Sequence, residues 1–600
     1  MSRFFSRMEP RFFSRKEPRF FSRKDSDETE TYIADPNSLS DSTVITDGTL
    51  KFVAEGGENS SYTAYQEASG APVESKSPLG YSVGPVTIAF LNLGKMVGTG
   101  IFSTPSTVLK GAGSVGLALF YWVIGFLIAA SSLSVYLEFA SCFPSRSGSE
   151  VVYLEQAYPR PKYFFPTVFA IQTVFLSFSS SNAIVLAQYL YKIAGSTPSD
   201  WEQKGVAVAG YTVAVAFLVF NTRWSLRFSN AIGLVKLLTL VFISITGLVV
   251  LGGHTRVKNP TANFKNAFDG TSGATAYGAT NAMYKIVFSY SGYENAFTVV
   301  NEVQNPTKLL KRSAPMALLG TSILYMLVNI AYFAASTKAQ ILASKVTTAS
   351  LFFENVFGTS GASKALSLLV AISAFGNLIA VLIGQSRVIR ECGRQGVLPF
   401  ASFWTSTRPF GTPLGPYFLK WAVTVLMILA PPAGDAFNFI VDLSTYPMNV
   451  FSFALAVGLL VLRWRRKRAN LPPAGFRAWD IAVIFSIIAN VYLMVMPWYP
   501  PATGRYGGNV SFWYATYCVV GIAILAVCAI YYYFWIHLLP KFGHYQIRQK
   551  VVELEGGVVT HTLVRVPEGE LEAWDASHDV TGRALTHRRA HVEGEKDGFA

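Results

Sequence analysis

Residues Leu91 to Pro105 read LNLGKMVGTGIFSTP. The stretch lies inside the first strongly apolar segment of the chain, yet it carries Gly94, Gly98 and Gly100, with Thr99 between the last two. Each glycine costs a helix about 1 kcal/mol relative to alanine. Inside lipid every backbone polar group needs a partner, so an unwound stretch survives only where protein shelters it or where it lines a cavity. Two readings are open for these glycines. Gly94 and Gly98, four residues apart, permit close packing between helices. Alternatively the helix breaks at Gly98–Gly100. The freed amides of its second half then form the positive end of a helix dipole, where a carboxylate is favoured, and the glycines let that anion approach the backbone.

A second segment tips the balance. Tyr284 to Pro306 reads YKIVFSYSGYENAFTVVNEVQNP, and its middle holds Ser289, Tyr290, Ser291, Gly292, Tyr293, Glu294 and Asn295. An apolar helix tolerates so many polar groups where they face something polar. Paired interrupted segments at matching places in two halves of a chain point to a transporter binding site.

The rest of the chain fits a membrane protein. It has 600 residues, of which 51% are hydrophobic and only 14% charged, where a soluble domain carries about 25%. Charge concentrates in roughly the first 80 residues and the last 60. Twelve apolar segments are long enough to span a bilayer as helices: 85–110, 115–141, 163–193, 205–221, 228–252, 277–302, 314–336, 362–390, 413–431, 436–462, 479–499 and 511–538. The first and sixth begin two units of five, and an odd number per unit inverts the second relative to the first. Segments eleven and twelve stand outside the repeat. The expected organisation is a disordered N-terminal tail (1–80), a transmembrane domain (81–540) and a C-terminal tail (541–600).

The net charge of +14 does not indicate nucleic acid, because the basic residues sit in short clusters between apolar runs. The clusters Arg223/Arg227, Lys308/Lys311/Arg312, Arg387/Arg390/Arg394 and Arg463 to Arg468 (RWRRKR) fall on the side of the N-terminus. By the positive-inside rule both termini are cytoplasmic. Asn509-Val510-Ser511 is then an outward-facing glycosylation sequon, close to the last segment. The basic, polar N-terminus has no cleavable signal, so the first apolar helix is expected to serve as the targeting signal. Three octapeptide units, RFFSRMEP, RFFSRKEP and RFFSRKDS, open the chain. They are too short for a solenoid, and read as a disordered tail or a basic-aromatic patch for anionic lipid. Lys16, Lys24, Lys51 and Lys76 offer the tails' ubiquitin-ligase adaptors a target. Cys142, Cys392, Cys518 and Cys528 fit neither a disulfide framework nor a zinc site. Neither a metal, a nucleotide fold nor a catalytic triad is indicated.

Five ordered motifs carry a resemblance: GKMVGTGIFSTP, YLEFASCFPSRSGSEVVYLEQAYP (Tyr136 to Pro159), IGLVKLLTLVFISITG (Ile232 to Gly247), FSYSGYENAFTVVNEVQNP and SAFGNLIAVLIGQSRVIRECGRQGVLP (Ser373 to Pro399). With them the chain resembles the amino acid–polyamine–organocation (APC) superfamily and, within it, the L-type amino acid transporters. The long polar N-terminus and the C-terminal tail are most similar to the fungal high-affinity methionine permease group. The resemblance implies an all-α, leucine-transporter-like 5+5 inverted repeat with helices 1 and 6 broken. It implies that amides at Gly98, Thr99, Gly100 and Ile101 meet the substrate carboxylate, and that carbonyls near Phe288, Ser289, Ser291 and Gly292 receive the α-amino group. Phe288 is implied as an outer gate. Ser291 stands where related transporters carry glycine, and so narrows the side-chain pocket. Phe169, Ser180, Asn182, Phe375 and Asn377 either line that pocket or pack.

Charges within the apolar segments are costly, about 2.5–3.5 kcal/mol on insertion scales. The resemblance sets Lys236 beside the broken first helix, where sodium sits in sodium-coupled relatives. It is either a coupling-proton carrier or a fixed cationic pin. Glu294 is either a coupling or substrate-contacting acid or a satisfied structural one. Glu138 is expected as an inner-gate partner of a cytoplasmic arginine. Asp442 is expected near the outside, in reach of water. No histidine lies mid-segment. The expected function is proton-coupled import of a neutral L-amino acid, methionine first, across the plasma membrane, with the proton as coupling ion and no cofactor. The alternatives are an exchanger and a nutrient-sensing receptor. The loop Ala194 to Lys204 has no cysteine, so no disulfide-linked heavy chain is expected there.

Overall fold

The computed structural model describes residues 44–46, 51–60, 64–68 and 70–585, with further breaks at 221, 345–346, 359–360, 431–432, 507, 509 and 555–557. The octapeptide units, Lys16, Lys24 and Asn509 lie outside the described residues.

Helices occupy all twelve predicted stretches. The first is α1 (Pro85–Met96), α2 (Gly100–Ser103) and α3 (Pro105–Ala112), and the second is α4 (Val115–Cys142). A connecting helix α5 (Glu150–Ala157) leads to the third, made of α6 (Phe164–Phe175) and α7 (Ser180–Ala194). Then come α8 (Asp200–Val219), α9 (Thr222–Leu251) and a short α10 (Ala262–Lys265). The sixth stretch is α11 (Ala276–Tyr290) plus a 3-10 segment, Asn295–Glu302. It is followed by α12 (Pro306–Ala335), the connecting α13 (Lys338–Ala343) and α14 (Thr348–Phe357), and α15 (Gly361–Arg394). After α16 (Ala401–Thr405) the chain continues through α17 (Leu414–Leu429), α18 (Ala433–Arg468), α19 (Asp480–Val495) and α20 (Thr516–Tyr533). Among the described residues nine stretches are long and apolar enough to cross a membrane. The other three are α8, α11 and α17. The first of these opens on Asp200 and Glu202, α11 stops at its break, and α17 has only 16 residues with Lys420 among them.

Both predicted breaks are present. Helix α1 ends as Val97 turns to ψ 72°, and the Gly98 amide folds back onto the Met96 carbonyl at 2.8 Å. Helix α11 ends at Ser291 (ψ 126°), and Gly292 takes φ +135°. A side chain at Gly292 is strained by that φ, and its Cβ would lie 2.8 Å from the Lys95 carbonyl carbon. A third break was not anticipated. The third stretch unwinds between Phe175 and Ser180, within the serine-rich run SFSSSN.

The tails depart from expectation. Residues 51–80, predicted as part of a disordered tail, include strands β2 (Lys51–Glu55) and β3 (Ala64–Glu67), which with β1 (Val44–Thr46) form an antiparallel sheet in the order β1-β2-β3. Residues beyond 541 build an antiparallel hairpin of β4 (Tyr545–Leu554) and β5 (Val558–Pro567). The two tails meet on one face of the helix bundle, where Gln549 Nε2 donates to the Ala68 carbonyl at 3.1 Å. Buried ion pairs fix them there. Glu74 pairs with Arg390 (2.8 Å) and Arg394 (3.4 Å), and Arg394 Nε donates to the β5 carbonyl of Val559 at 2.9 Å. Asn59 reaches the Pro144, Val300 and Val303 carbonyls, so the N-terminal segment also straps the end of the sixth stretch.

Candidate functional site

The chemistry of the site starts from carbonyls that the first break strips of helical partners. Each has a side chain aimed at it. Lys236 Nζ, on α9, donates to Gly94 O at 2.6 Å and Val97 O at 2.7 Å. Asn377 Nδ2, on α15, donates to Gly94 O (3.2 Å) and Lys95 O (2.5 Å), and Ser373 Oγ to Val97 O (3.3 Å). The Tyr325 hydroxyl on α12 bridges the two broken helices, 2.7 Å from Met96 O and 3.0 Å from Ser289 O. Asn92 and Asn295 complete the tie. Asn92 Nδ2 donates to Tyr293 O and its Oδ1 accepts from the Ala296 amide, both at 2.7 Å, while Asn295 Nδ2 donates to Leu91 O at 3.1 Å. An unsatisfied buried carbonyl costs about 1–3 kcal/mol. The breaks are therefore specified by polar side chains on three neighbouring helices and by two asparagines of the broken segments themselves, and not by the glycines alone.

Beside the breaks lies a cavity of about 240 Å³. Its wall includes Gly98, Thr99 and Gly100 from the first break, Phe288, Ser291 and Glu294 from the second, and Phe169, Asn182 and Asn377 from the third and eighth stretches. Thr99 Oγ1 donates to Asn182 Oδ1 at 3.1 Å. On the side away from the tails, the Phe288 ring stands edge-on to Phe437 with centroids 6.4 Å apart. Beyond it, Lys285 pairs with Asp442 at 2.7 Å. Toward the tails the cavity runs on to Tyr136, Glu150, Thr298 and Val388.

Not every expected residue reaches the wall. Ile101 is fully buried in the core outside it. Ser289 packs against Gly100, donates its hydroxyl to Lys285 O at 2.7 Å, and has its carbonyl occupied by Tyr325. It is thus a contact between the broken helices, with its carbonyl already used. Gly292 faces Met96 and Lys95 of α1, and its amide donates to Glu294 Oε2 at 2.9 Å. Ser180 and Phe375 also stand outside the wall. Lys236 lies behind α1, 1% exposed. Glu294 pairs with Lys95 at 2.6 Å, which is the geometry of a satisfied acid. Glu138 meets Arg463 at 2.5 Å and also accepts the Ala478 amide at 2.7 Å. Asp442 stands in the wall of a second, smaller pocket. It is 8% exposed and paired, because Lys285, on the facing helix, sits opposite it.

Lys95, Glu150, Lys285, Tyr325 and Lys420 were missed. Lys95 stands in the opening motif itself, but nothing in a single sequence pairs it with a residue 199 positions away. Lys420 Nζ donates to Ser177 O at 2.6 Å and to Gln385 Oε1, and so holds the third break.

The profile described as amino acid permease matches residues 83–525. The chain belongs to the amino acid permease family. Relatives share its length as well as its core. It is 37% identical over 509 residues to the high-affinity methionine permease of Saccharomyces cerevisiae, covering 84% of this chain and 87% of the relative. Identity to the low-affinity methionine permease of the same yeast is 29% over 501 residues, covering 82% and 89%. Asc-type amino acid transporter 1 of Mus musculus is 27% identical over 428 residues, covering 68% and 77%. The permease is accordingly a multi-pass membrane transporter of a small amino acid, not an enzyme.

Proposed function

We propose that the permease imports neutral L-amino acids, methionine first, by proton symport through alternating access. The observation that carries this reading is the convergence of two interrupted helices on one cavity, with Thr99 and Gly100 on one side and Ser291 on the other. A zwitterion needs both, since its carboxylate favours the start of a helix and its ammonium favours free carbonyls. Methionine is favoured because both yeast relatives bear that name. A pocket narrowed by Ser291 suits an unbranched side chain.

The cycle uses twelve spans in a 5+5 inverted arrangement, with both termini in the cytoplasm and the protein in the plasma membrane. Phe288 over Phe437, with Lys285–Asp442 above, closes the outer path. Glu138–Arg463 braces the inner one. Lys236 acts as a fixed cation in the first break, taking the place an ion fills in other transporters. The driving ion is the proton, and no resident cofactor takes part. The tails offer lysines to ubiquitin-ligase adaptors, and no covalently linked heavy chain is required.

Purified protein in liposomes tests this. An inward proton gradient is expected to drive accumulation of labelled methionine above equilibrium. Counterflow without gradient-driven accumulation favours an exchanger. Binding without transport favours a receptor.

A further inference from the structure

Proton symport needs a group in reach of the substrate cavity that can gain and lose a proton without tearing an ion pair. Two acids stand in the cavity wall, Glu294 and Glu150. Glu294 is held by Lys95 at 2.6 Å and by the Gly292 amide at 2.9 Å. Its protonation would leave Lys95 unpaired in a mostly buried setting, which is strongly destabilising. Glu150 is different. It is 5% exposed, opens α5 at the tail-facing end of the cavity, and accepts a hydrogen bond from the neutral Tyr136 hydroxyl at 2.7 Å.

We propose, building on the symport reading above, that Glu150 is the proton carrier of the permease. On loading, a proton from cavity water adds to the Glu150 carboxylate and gives a neutral acid. After the bundle switches, the acid returns the proton to water on the other side. Each cycle then moves one zwitterion and one positive charge.

The surroundings suit such a switch. Tyr136 of α4, Tyr153 of α5, Tyr293 and Glu294 of the sixth stretch, Lys95 of α1 and Cys392 of α15 are the titratable groups about it. Burial raises the Glu150 carboxyl above its ordinary value, and the nearby Glu294 charge adds to the rise. The Tyr136 bond and Lys95 pull it back. The carboxyl is thereby poised between a desolvation that favours the acid and a hydroxyl that favours the anion. Substrate and proton share one cavity, so occupancy by a zwitterion changes the field at Glu150 directly.

The test uses the full chain in liposomes, with labelled methionine and a trapped pH dye. The readout is the ratio of gradient-driven accumulation to counterflow, which cancels differences in folded amount. Glu150→Gln is expected to lower that ratio at least tenfold and to abolish substrate-dependent acidification. Tyr136→Phe removes the hydroxyl that favours the anion. It is expected to move the pH profile of uptake upward by at least half a pH unit, and it serves if Glu150→Gln fails to fold. Accumulation by Glu150→Gln equal to that of the unaltered protein, or an unmoved profile in Tyr136→Phe, overturns the assignment. Counterflow without accumulation in the unaltered protein overturns the symport reading itself, a separate failure.

Discussion

Lys236 and Lys95 are indistinguishable as residues, yet they do opposite things. Lys236 holds two carbonyls of a broken helix and Lys95 holds a carboxylate. Replacing Lys236 with Met strands two buried acceptors, at about 1–3 kcal/mol each. The expected result is a drop in uptake of more than tenfold with and without a proton gradient, together with a lowered Tm in detergent. Loss of gradient dependence alone would instead make Lys236 a carrier. For the other lysine a double-mutant cycle is informative. Lys95→Met and Glu294→Leu each leave a partner buried and unpaired, whereas the double variant leaves neither. Stability measured by thermal unfolding is expected to recover in the double variant by about 1–3 kcal/mol relative to the sum of the singles. Additive losses would show that the pair is not coupled.

At the scale of the element, the breaks depend on glycine in two separate ways. Gly100 is needed for closeness, because a Cβ there would lie 2.8 Å from Ser289 Cα. Gly292 is needed for conformation as well, at φ +135°. Alanine at Gly100 forces the two broken helices apart, a misfit that costs about 1–3 kcal/mol. The KM for methionine is expected to rise roughly tenfold, since about 1.4 kcal/mol corresponds to that factor. Gly292→Ala adds backbone strain to its clash and is expected to lower expression of folded protein more than Gly100→Ala does, read by size-exclusion chromatography. A Gly100→Ala variant with unaltered KM would separate that residue from the substrate. The third break obeys a different rule. It contains no glycine, and Lys420 on α17 secures it from outside the segment.

Over the whole molecule, the tails are built into the tail-side face and carry a pH dependence of their own. His561 on β5 is 1% exposed, with its ring in hydrogen-bond reach of the Thr581 carbonyl. Burial, with the Arg146 charge beside it, pushes its pKa down to about 3. Between that value and the usual 6.5 the unfolded segment binds a proton that the folded one refuses, so stability rises with pH across this window and is level above it. Acidifying from pH 7 to 5 is expected to destabilise the hairpin's docking by up to about 2 kcal/mol. Hydrogen exchange over residues 545–567 reads this as faster exchange at pH 5, after correction for the intrinsic rate. His561→Gln is expected to remove the difference, and its persistence in that variant would exclude His561 as the cause.

Much of this was legible in the sequence because it follows from local composition. Long apolar runs need a membrane, and glycine or polar residues inside two of them need a cavity. Those facts account for the class of fold, the two breaks and the part of the cavity wall the breaks supply, Gly98, Thr99 and Gly100 from one and Phe288, Ser291 and Glu294 from the other. They could not reveal which side chains meet across the bundle. Ser289 and Ile101 sit in the right motifs but turn to neighbouring helices, while Glu150, far from either break in sequence, comes to the same cavity. Pairings such as Lys95–Glu294, Lys285–Asp442 and Glu74–Arg390 join residues 157 to 316 positions apart. A chain's local pattern states what each segment must bury. Only the packed structure decides which partner satisfies each buried charge, because that depends on distances that sequence spacing does not encode.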